Sequence, residues 1–258
     1  LQGKLTKIPN YIISMKAIIL SAGQGRRLLP YTKSTPKCLL ELSEKPFIEY
    51  QIDTLLQLGV NEIVVVVGYA ANAVKQVLQE RYDSNQVRTL YNPFYEVADN
   101  LASCWMAREE LHGEFMILNG DTLFEAAIIE KLINANDYPI TLASDEKAVY
   151  DEDDMKIAHD QGCILNIGKK LPLERVNAES IGAMKFTPEG ATLFREQICH
   201  DIHQAEALSR WYLSVIDQLA STGNVGTISI HGLDWTELDF VHDLEIARTM
   251  VSKWAKQS

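Results

Sequence analysis

Three short runs of this chain are almost wholly apolar: KAIILSA (Lys16–Ala22), EIVVVVGY (Glu62–Tyr69) and EFMILNGD (Glu114–Asp121). Runs of that length and composition are expected to be central strands of a parallel sheet, buried on both faces and covered by helices. The segments between them fit that expectation. PFIEYQIDTLLQLG (Pro46–Gly59) places apolar residues at helical spacing, with Pro at its start and Gly at its end. ANAVKQVLQERY (Ala71–Tyr82) reads as an amphipathic helix, VRTLYN (Val87–Asn92) as a strand and NLASCWMAREEL (Asn100–Leu111) as a helix. Strand and helix alternate, which predicts a doubly wound, mostly parallel α/β sheet with right-handed crossovers.

The rhythm changes after about Tyr138. PITLASD, MKIAHDQGCILNIGK and NAESIGAMKF read as strands, with a turn near Asp160–Gly162. PEGATLFREQICH and EALSRWYLSVIDQLAS read as helices, VGTISIHG as a strand, and VHDLEIARTMVSKWAK as a last helix after WTELDF. No internal repeat or low-complexity linker divides the chain. One domain is therefore expected over 15–258, with a first part of about 15–137 and a closing part of about 138–258. Residues 1–14 precede Met15 and lack the apolar core and cleavage site of a signal peptide, so they are expected to be a vector remnant or a short extension.

The chain of 258 residues carries 35 Asp and Glu against 24 Lys and Arg, a net charge of -11, which argues against nucleic acid or anionic lipid as a partner. No apolar run is long enough to span a bilayer. Cys38, Cys104, Cys163 and Cys199 form no CxxC pair, which speaks against a zinc ribbon or a disulfide framework and makes the cytoplasm the expected compartment. The histidines show no HxH or HExxH spacing.

Against that acidic background, LSAGQGRRLLPYTKSTPK (Leu20–Lys37) contains no acid at all. It leaves the carboxyl end of the first strand, where open α/β sheets bind ligands. Gly23 and Gly25 let backbone N–H groups form a concavity for phosphate oxygens. Arg26, Arg27 and Lys37 add charge, and Pro30 and Pro36 stiffen the loop. A bare G-x-G is more often a turn with solvated arginines. This one is not a Walker A loop, because no GK[ST] follows, nor a dinucleotide fingerprint, because the third glycine is absent.

The longer pattern resembles the signature of the nucleotidyltransferases that make nucleotide sugars and related activated alcohols, L-A-A-G-x-G-T-R-L-x-P-x-T-x-x-x-P-K. Leu20, Ala22, Gly23, Gly25, Arg27, Leu28, Pro30, Thr32, Pro36 and Lys37 match it, while Ser21 and Arg26 depart from it. KPFIEYQIDTL, EIVVVVGY and VADNLASCWMAREEL are similar to the branch that contains phosphocholine cytidylyltransferases. Asn100 and Ser103 match that branch, and Asp99 replaces one Asn.

The resemblance implies a Rossmann-like nucleotidyltransferase fold with a small acceptor-binding β insertion, and cytoplasmic transfer of CMP from CTP to a small phosphorylated or phosphonated alcohol or amine. It implies a nucleotide site of Ala22, Gly23, Gly25, Arg26, Gly68, Tyr69, Asn100 and Ser103, with Arg27 and Lys37 as the catalytic clamp on the triphosphate. It implies Mg²⁺ held by Asp121 and Asp239. From the residues alone Asp121 reads equally as a helix cap or Asx turn; Glu237 and Asp243 rival Asp239, with Asp243 expected to be solvated on its helix. Lys169, with Lys170 as competitor, would meet the acceptor phosphate. Glu179, Trp211 and Tyr212 would meet the acceptor's head group, although aromatics at helical spacing are more often core. The acidic YDEDDMKIA (Tyr150–Ala158) could face an amine, and a solvated loop is the commoner reading. A sugar-1-phosphate nucleotidyltransferase using dTTP, UTP or CTP is the first alternative, and a non-catalytic regulatory subunit the second. Presence of Arg27, Lys37, Asp121 and Asp239 speaks against the latter. The assembly is left open, with a homodimer among the expectations.

Overall fold

A computed structural model describes residues 15–256, so the expected extension over 1–14 lies outside the described residues. In chain order the elements are β1 (Met15–Ser21), α1 (Phe47–Gln57), β2 (Glu62–Val67), α2 (Ala71–Arg81), β3 (Val87–Tyr91), α3 (Asn100–Met106), β4 (Glu114–Asn119), β5 (Thr122–Phe124) and α4 (Ala126–Asn134). Then follow β6 (Ile140–Asp145), β7 (Lys156–Asp160), β8 (Cys163–Gly168), β9 (Ala178–Phe186), α5 (Pro188–Asp201), α6 (Leu213–Ala220), β10 (Val225–Ser229), β11 (Trp235–Glu237) and α7 (Val241–Ala255).

Nine strands form one sheet in the order β3-β2-β1-β4-β9-β6-β10-β8-β7. The first four are parallel, with Ile18 opposite Val64 on one side and Ile117 on the other. β9 runs antiparallel between β4 and β6, and the β7–β8 hairpin closes the far edge, with β7 also pairing with β9. Alternation along the central strands sorts the core. Ile18, Val64, Val66 and Ile117 pack with α3, α5 and α6. Their neighbours Ile19, Val65, Val67 and Leu118 pack with α1, α2 and α4 on the opposite face. This is the physical reason the three opening runs are apolar at successive positions through the middle of each strand.

Capping chemistry starts α5, where Thr187 accepts the amide of Gly190 at 3.2 Å and Pro188 takes the first turn. One helix differs from the sequence expectation. The stretch EALSRWYLSVIDQLAS is a short 3₁₀ turn, then an extended Arg210, and only then α6 from Leu213. Asp201, wholly buried, ties Arg210 (2.9 Å) back to the end of α5 and so breaks the run. A third apolar cluster of Leu28, Leu40, Phe47, Leu123, Leu238 and Leu244 seats α7 against the loop that leaves β1.

Candidate active site

The loop after β1 turns at Gly25, whose φ of 71° is left-handed. A Cβ there would stand 2.9 Å from Cβ of Lys37, so glycine both makes the turn and lets the Lys37 stem cross it. Thr32 donates to the Gly25 carbonyl at 2.8 Å. Tyr69 clasps the loop to the end of β2: its amide donates to the Ala22 carbonyl at 2.9 Å and its hydroxyl to the Lys33 carbonyl at 2.7 Å. Gly68 has no room for a side chain, since a Cβ would meet Tyr95 at 2.4 Å and the Ala22 carbonyl at 2.7 Å. Gly23 faces open space, with nothing within 4 Å of where its Cβ would be. Arg26 is exposed and rests on Gln24.

Asp121 is not at the end of β4, as the sequence suggested, but in the turn between β4 and β5. Gln51, fully buried on α1, clamps that turn by donating to the carbonyls of Asn119 and Thr122, both at 2.8 Å. β5 and β11 then pair as a two-stranded antiparallel ribbon, Thr122 opposite Glu237, and the Leu238 amide donates to the Asp121 carbonyl at 2.8 Å. This ribbon brings the two distant aspartates together. Asp243 is not a solvated helix residue: its carboxylate accepts the amides of Asp239 and Phe240 at 2.9 and 2.6 Å, fixing Asp239 at the start of α7.

Lys37 Nζ lies 2.8 Å from Asp121 Oδ2 and 2.7 Å from Asp239 Oδ1. Burial alone would lower the Lys37 pKa, but Asp121 and Asp239 override it and hold the ammonium above its ordinary range. Burial would likewise raise Asp239; Lys37 first, then Arg27 and Lys169, keep it below the usual carboxylate range. Arg27 reaches Asp239 at 3.4 Å and covers the Phe240 ring at 5.4 Å. Glu237 sits beside both aspartates. Burial, reinforced by their charges, pushes it up to about 8.

Among the described residues no group of three or more His, Cys, Asp or Glu side chains is placed to hold a metal. Two carboxylates that already converge on one positive centre do fit magnesium, which takes one or two protein carboxylates and completes its shell with phosphate oxygens and water.

Asp121 and Asp239 line a cleft of about 830 Å³, together with Asn100, Lys169, Glu179 and Trp211. The acidic segment is an irregular loop, exposed at Asp151, Glu152 and Asp153 and half-buried at Asp154, that also borders the cleft. Asp151, Glu152, Asp153 and Asp154 form a wall of the cleft. Asp153 Oδ1 stands between Arg27 Nη2 (3.5 Å) and Lys169 Nζ (3.6 Å), so a carboxylate occupies the point where two cations meet. Lys169 also lies over the Trp211 ring at 4.8 Å. Glu179 pairs with Lys147, a residue that the sequence reading did not single out.

Two expected contacts are placed differently. Tyr212 is fully buried ahead of α6, its hydroxyl donating to Asn119 Oδ1 at 3.1 Å, so it braces the cleft from the core and does not face a ligand. Ser103 is buried on α3, where it accepts from Asn92 Nδ2 at 3.0 Å. Asn100 Oδ1 accepts the Tyr212 amide at 2.9 Å and still borders the cleft. No helix is long and apolar enough to cross a membrane among the described residues.

The family model of the MobA-like NTP transferase domain matches residues 17–224. The chain is 30% identical to the CTP:phosphoglutamine cytidylyltransferase of Campylobacter jejuni over 261 residues, 90% of this chain and 98% of that protein. It is 41% identical to the choline-phosphate cytidylyltransferase of Streptococcus pneumoniae over 111 residues, 43% of this chain and 47% of that one. The solved CTP:phosphocholine cytidylyltransferase from Streptococcus pneumoniae shares the fold at a TM-score of 0.75 and 23% identity, over 92% of this chain and 99% of its own.

Proposed function

The chain belongs to the MobA-like NTP transferase domain family, and on that premise we propose that it is a CTP-dependent cytidylyltransferase acting on a small phosphorylated or phosphonated alcohol or amine. The observation that carries the reading is the Lys37 ammonium held between Asp121 and Asp239 beside the glycine loop, with the Arg27–Lys169 pair next to it in the same cleft. Similarity to two cytidylyltransferases supports the choice of CTP. The nucleotide belongs to the part over about 15–137 and the acceptor to the part over about 138–258. Four free cysteines suit a reducing cytoplasm.

In this reading an acceptor phosphate or phosphonate oxygen attacks the α-phosphorus of CTP. The new P–O bond forms as the bond to the bridging oxygen breaks, and pyrophosphate leaves with that electron pair. No covalent enzyme intermediate is needed. Gly23 and Gly25 leave room and backbone N–H groups for the triphosphate. Lys37 and Arg27 meet the charge that builds on the α-phosphoryl oxygens and the leaving group, where fixed donors act most strongly. Arg27 and Lys169 hold the acceptor phosphate at the point that Asp153 marks. Magnesium, when bound at Asp121 and Asp239, supplies Lewis-acid charge to the phosphates.

The test is pyrophosphate release with Mg²⁺, a panel of CTP, UTP, dTTP and GTP, and phosphorylated amines, alcohols and glucose 1-phosphate as acceptors. Turnover is expected with CTP and a small non-sugar acceptor. Turnover with dTTP and glucose 1-phosphate and none with CTP overturns the reading in favour of a sugar-1-phosphate enzyme.

A further inference from the structure

Among the described residues, one buried lysine gives all its hydrogen bonds to the main chain. Lys156 begins β7 and is 3% exposed. Its Nζ donates to the carbonyls of Asp151, of Asp154 at 3.4 Å and of Lys169 at 3.0 Å. An ammonium has three N–H donors, and here three carbonyls accept them. A buried charge is tolerated when its hydrogen bonds are complete in this way. Glu179 is the register partner of Lys156 on β9 and is itself paired with Lys147.

The three carbonyls come from two stretches of chain. Pairing of β7 with β8 ends at Lys156 and Gly168, so Lys169 is the first residue past the ladder, and Lys156 takes hold of its carbonyl there. Residues 151–154 close into one turn. Asp151 Oδ1 accepts the amides of Asp153 and Asp154 at 2.9 and 3.1 Å, and Asp154 Oδ2 accepts the Asp151 amide at 2.7 Å. The carbonyls of Asp151 and Asp154 that Lys156 holds therefore bracket Asp153. These two stretches bring the Lys169 ammonium and the Asp153 carboxylate to the point that Arg27 also reaches.

We propose that Lys156 is a positioning residue: by tying the 151–154 turn to the Lys169 carbonyl, it holds Lys169 where the acceptor phosphate binds. It touches no substrate and acts through Lys169. The proposal rests on the reading of this cleft as a cytidylyltransferase site.

The experiment is calorimetric binding of inorganic phosphate with Mg²⁺, with and without α,β-methylene CTP, to wild type, Lys156→Met, Lys169→Ala and the double variant. Pyrophosphate release from CTP with phosphorylated amines and alcohols tests the underlying reading separately. Lys156→Met keeps the length of the side chain and removes all three donors. It should weaken phosphate at least about tenfold, the scale of one charge-assisted hydrogen bond, and leave affinity for the nucleotide analogue unchanged. In the Lys169→Ala background the same change should cost less than about threefold more, because a residue that acts through another is not additive with it. Lys156→Gln gives the same comparison if the first variant does not fold. A lower Tm with phosphate affinity intact, or an equal loss in both backgrounds, makes Lys156 a brace of the fold alone and overturns the proposal. A wild type that binds no phosphate overturns it as well. If CTP supports no transfer yet the non-additive loss is seen, the proposal stands and the cytidylyltransferase reading falls. If transfer succeeds and the losses add, the reading stands and the proposal falls.

Discussion

Lys37 is the side chain on which most of the site geometry converges. It is 12% exposed and bonds two carboxylates, one from the middle of the chain and one from near its end. On the proposed function Lys37→Ala removes a donor to the triphosphate, and kcat is expected to fall about 10²–10³-fold. Pyrophosphate release checks this, and circular dichroism shows whether the fold survives. Asp153 is expected to act in the opposite direction. Its exposed carboxylate already holds Arg27 and Lys169, and on the proposed function it competes with the acceptor phosphate for them. An exposed ion pair is worth ~0.2–1 kcal/mol, so Asp153→Asn should lower the acceptor KM by up to about fivefold and leave kcat close to wild type. A raised KM in acceptor titrations contradicts it. Arg27 and Lys37 were legible because their pattern is contiguous in the chain. Asp239 was legible only through a resemblance, since tertiary pairing brings it to Asp121. Lys147 gave no signal, being one lysine in a loop whose partners, Asp154 and Glu179, lie further along the sequence.

At the scale of elements, the three-residue strands β5 and β11 align the carboxylates, and α1 holds the turn before them. The periodicity of α1 was plain in the sequence, but the meaning of Gln51 was not. It falls on the same face as Ile48, Ile52 and Leu55, where a helix packing on a sheet has only apolar partners, and that mismatch was the available clue. Gln51→Leu keeps roughly the shape and leaves the carbonyls of Asn119 and Thr122 without their donor. At ~1–3 kcal/mol for each of the two unsatisfied buried groups, a loss of about 2–6 kcal/mol is expected. It would appear as a fall in Tm, with kcat reduced more than acceptor KM because Asp121 moves. An unchanged kcat in a folded Gln51→Leu protein means the clamp does not set the position of Asp121. The broken helix before α6 escaped the sequence for a related reason. Helical spacing continues through Arg210–Tyr212, and the force that opposes it is a buried carboxylate, Asp201, one helix away.

Across the whole molecule, chemistry and stability are placed at opposite ends of the parallel sheet. The site lies beyond the carboxyl ends of β1 and β4. At the other end Lys16 begins β1, 2.7 Å from Glu110, which also binds Arg88 of β3 at 2.6 Å. The Arg88 guanidinium, and then Lys16, hold the Glu110 carboxyl down to about 2 against the cost of its burial. A depressed carboxylate contributes stability that is complete above its unfolded pKa and disappears as pH falls through the folded value. Glu110→Gln should therefore lower stability near neutral pH by about 1–2 kcal/mol, a figure discounted because Arg88 is partly exposed. The gap in Tm between wild type and variant should hold down to about pH 5 and close progressively toward pH ~2, where wild type is protonated too. Turnover should be the same in both proteins at neutral pH, because neither Lys16 nor Arg88, the side-chain partners of Glu110, lines the cleft. Thermal melts at a series of pH values, paired with one activity assay, decide the matter: a gap that persists at the acid end removes Glu110 as its source, and a loss of turnover shows that the two ends of the sheet are coupled.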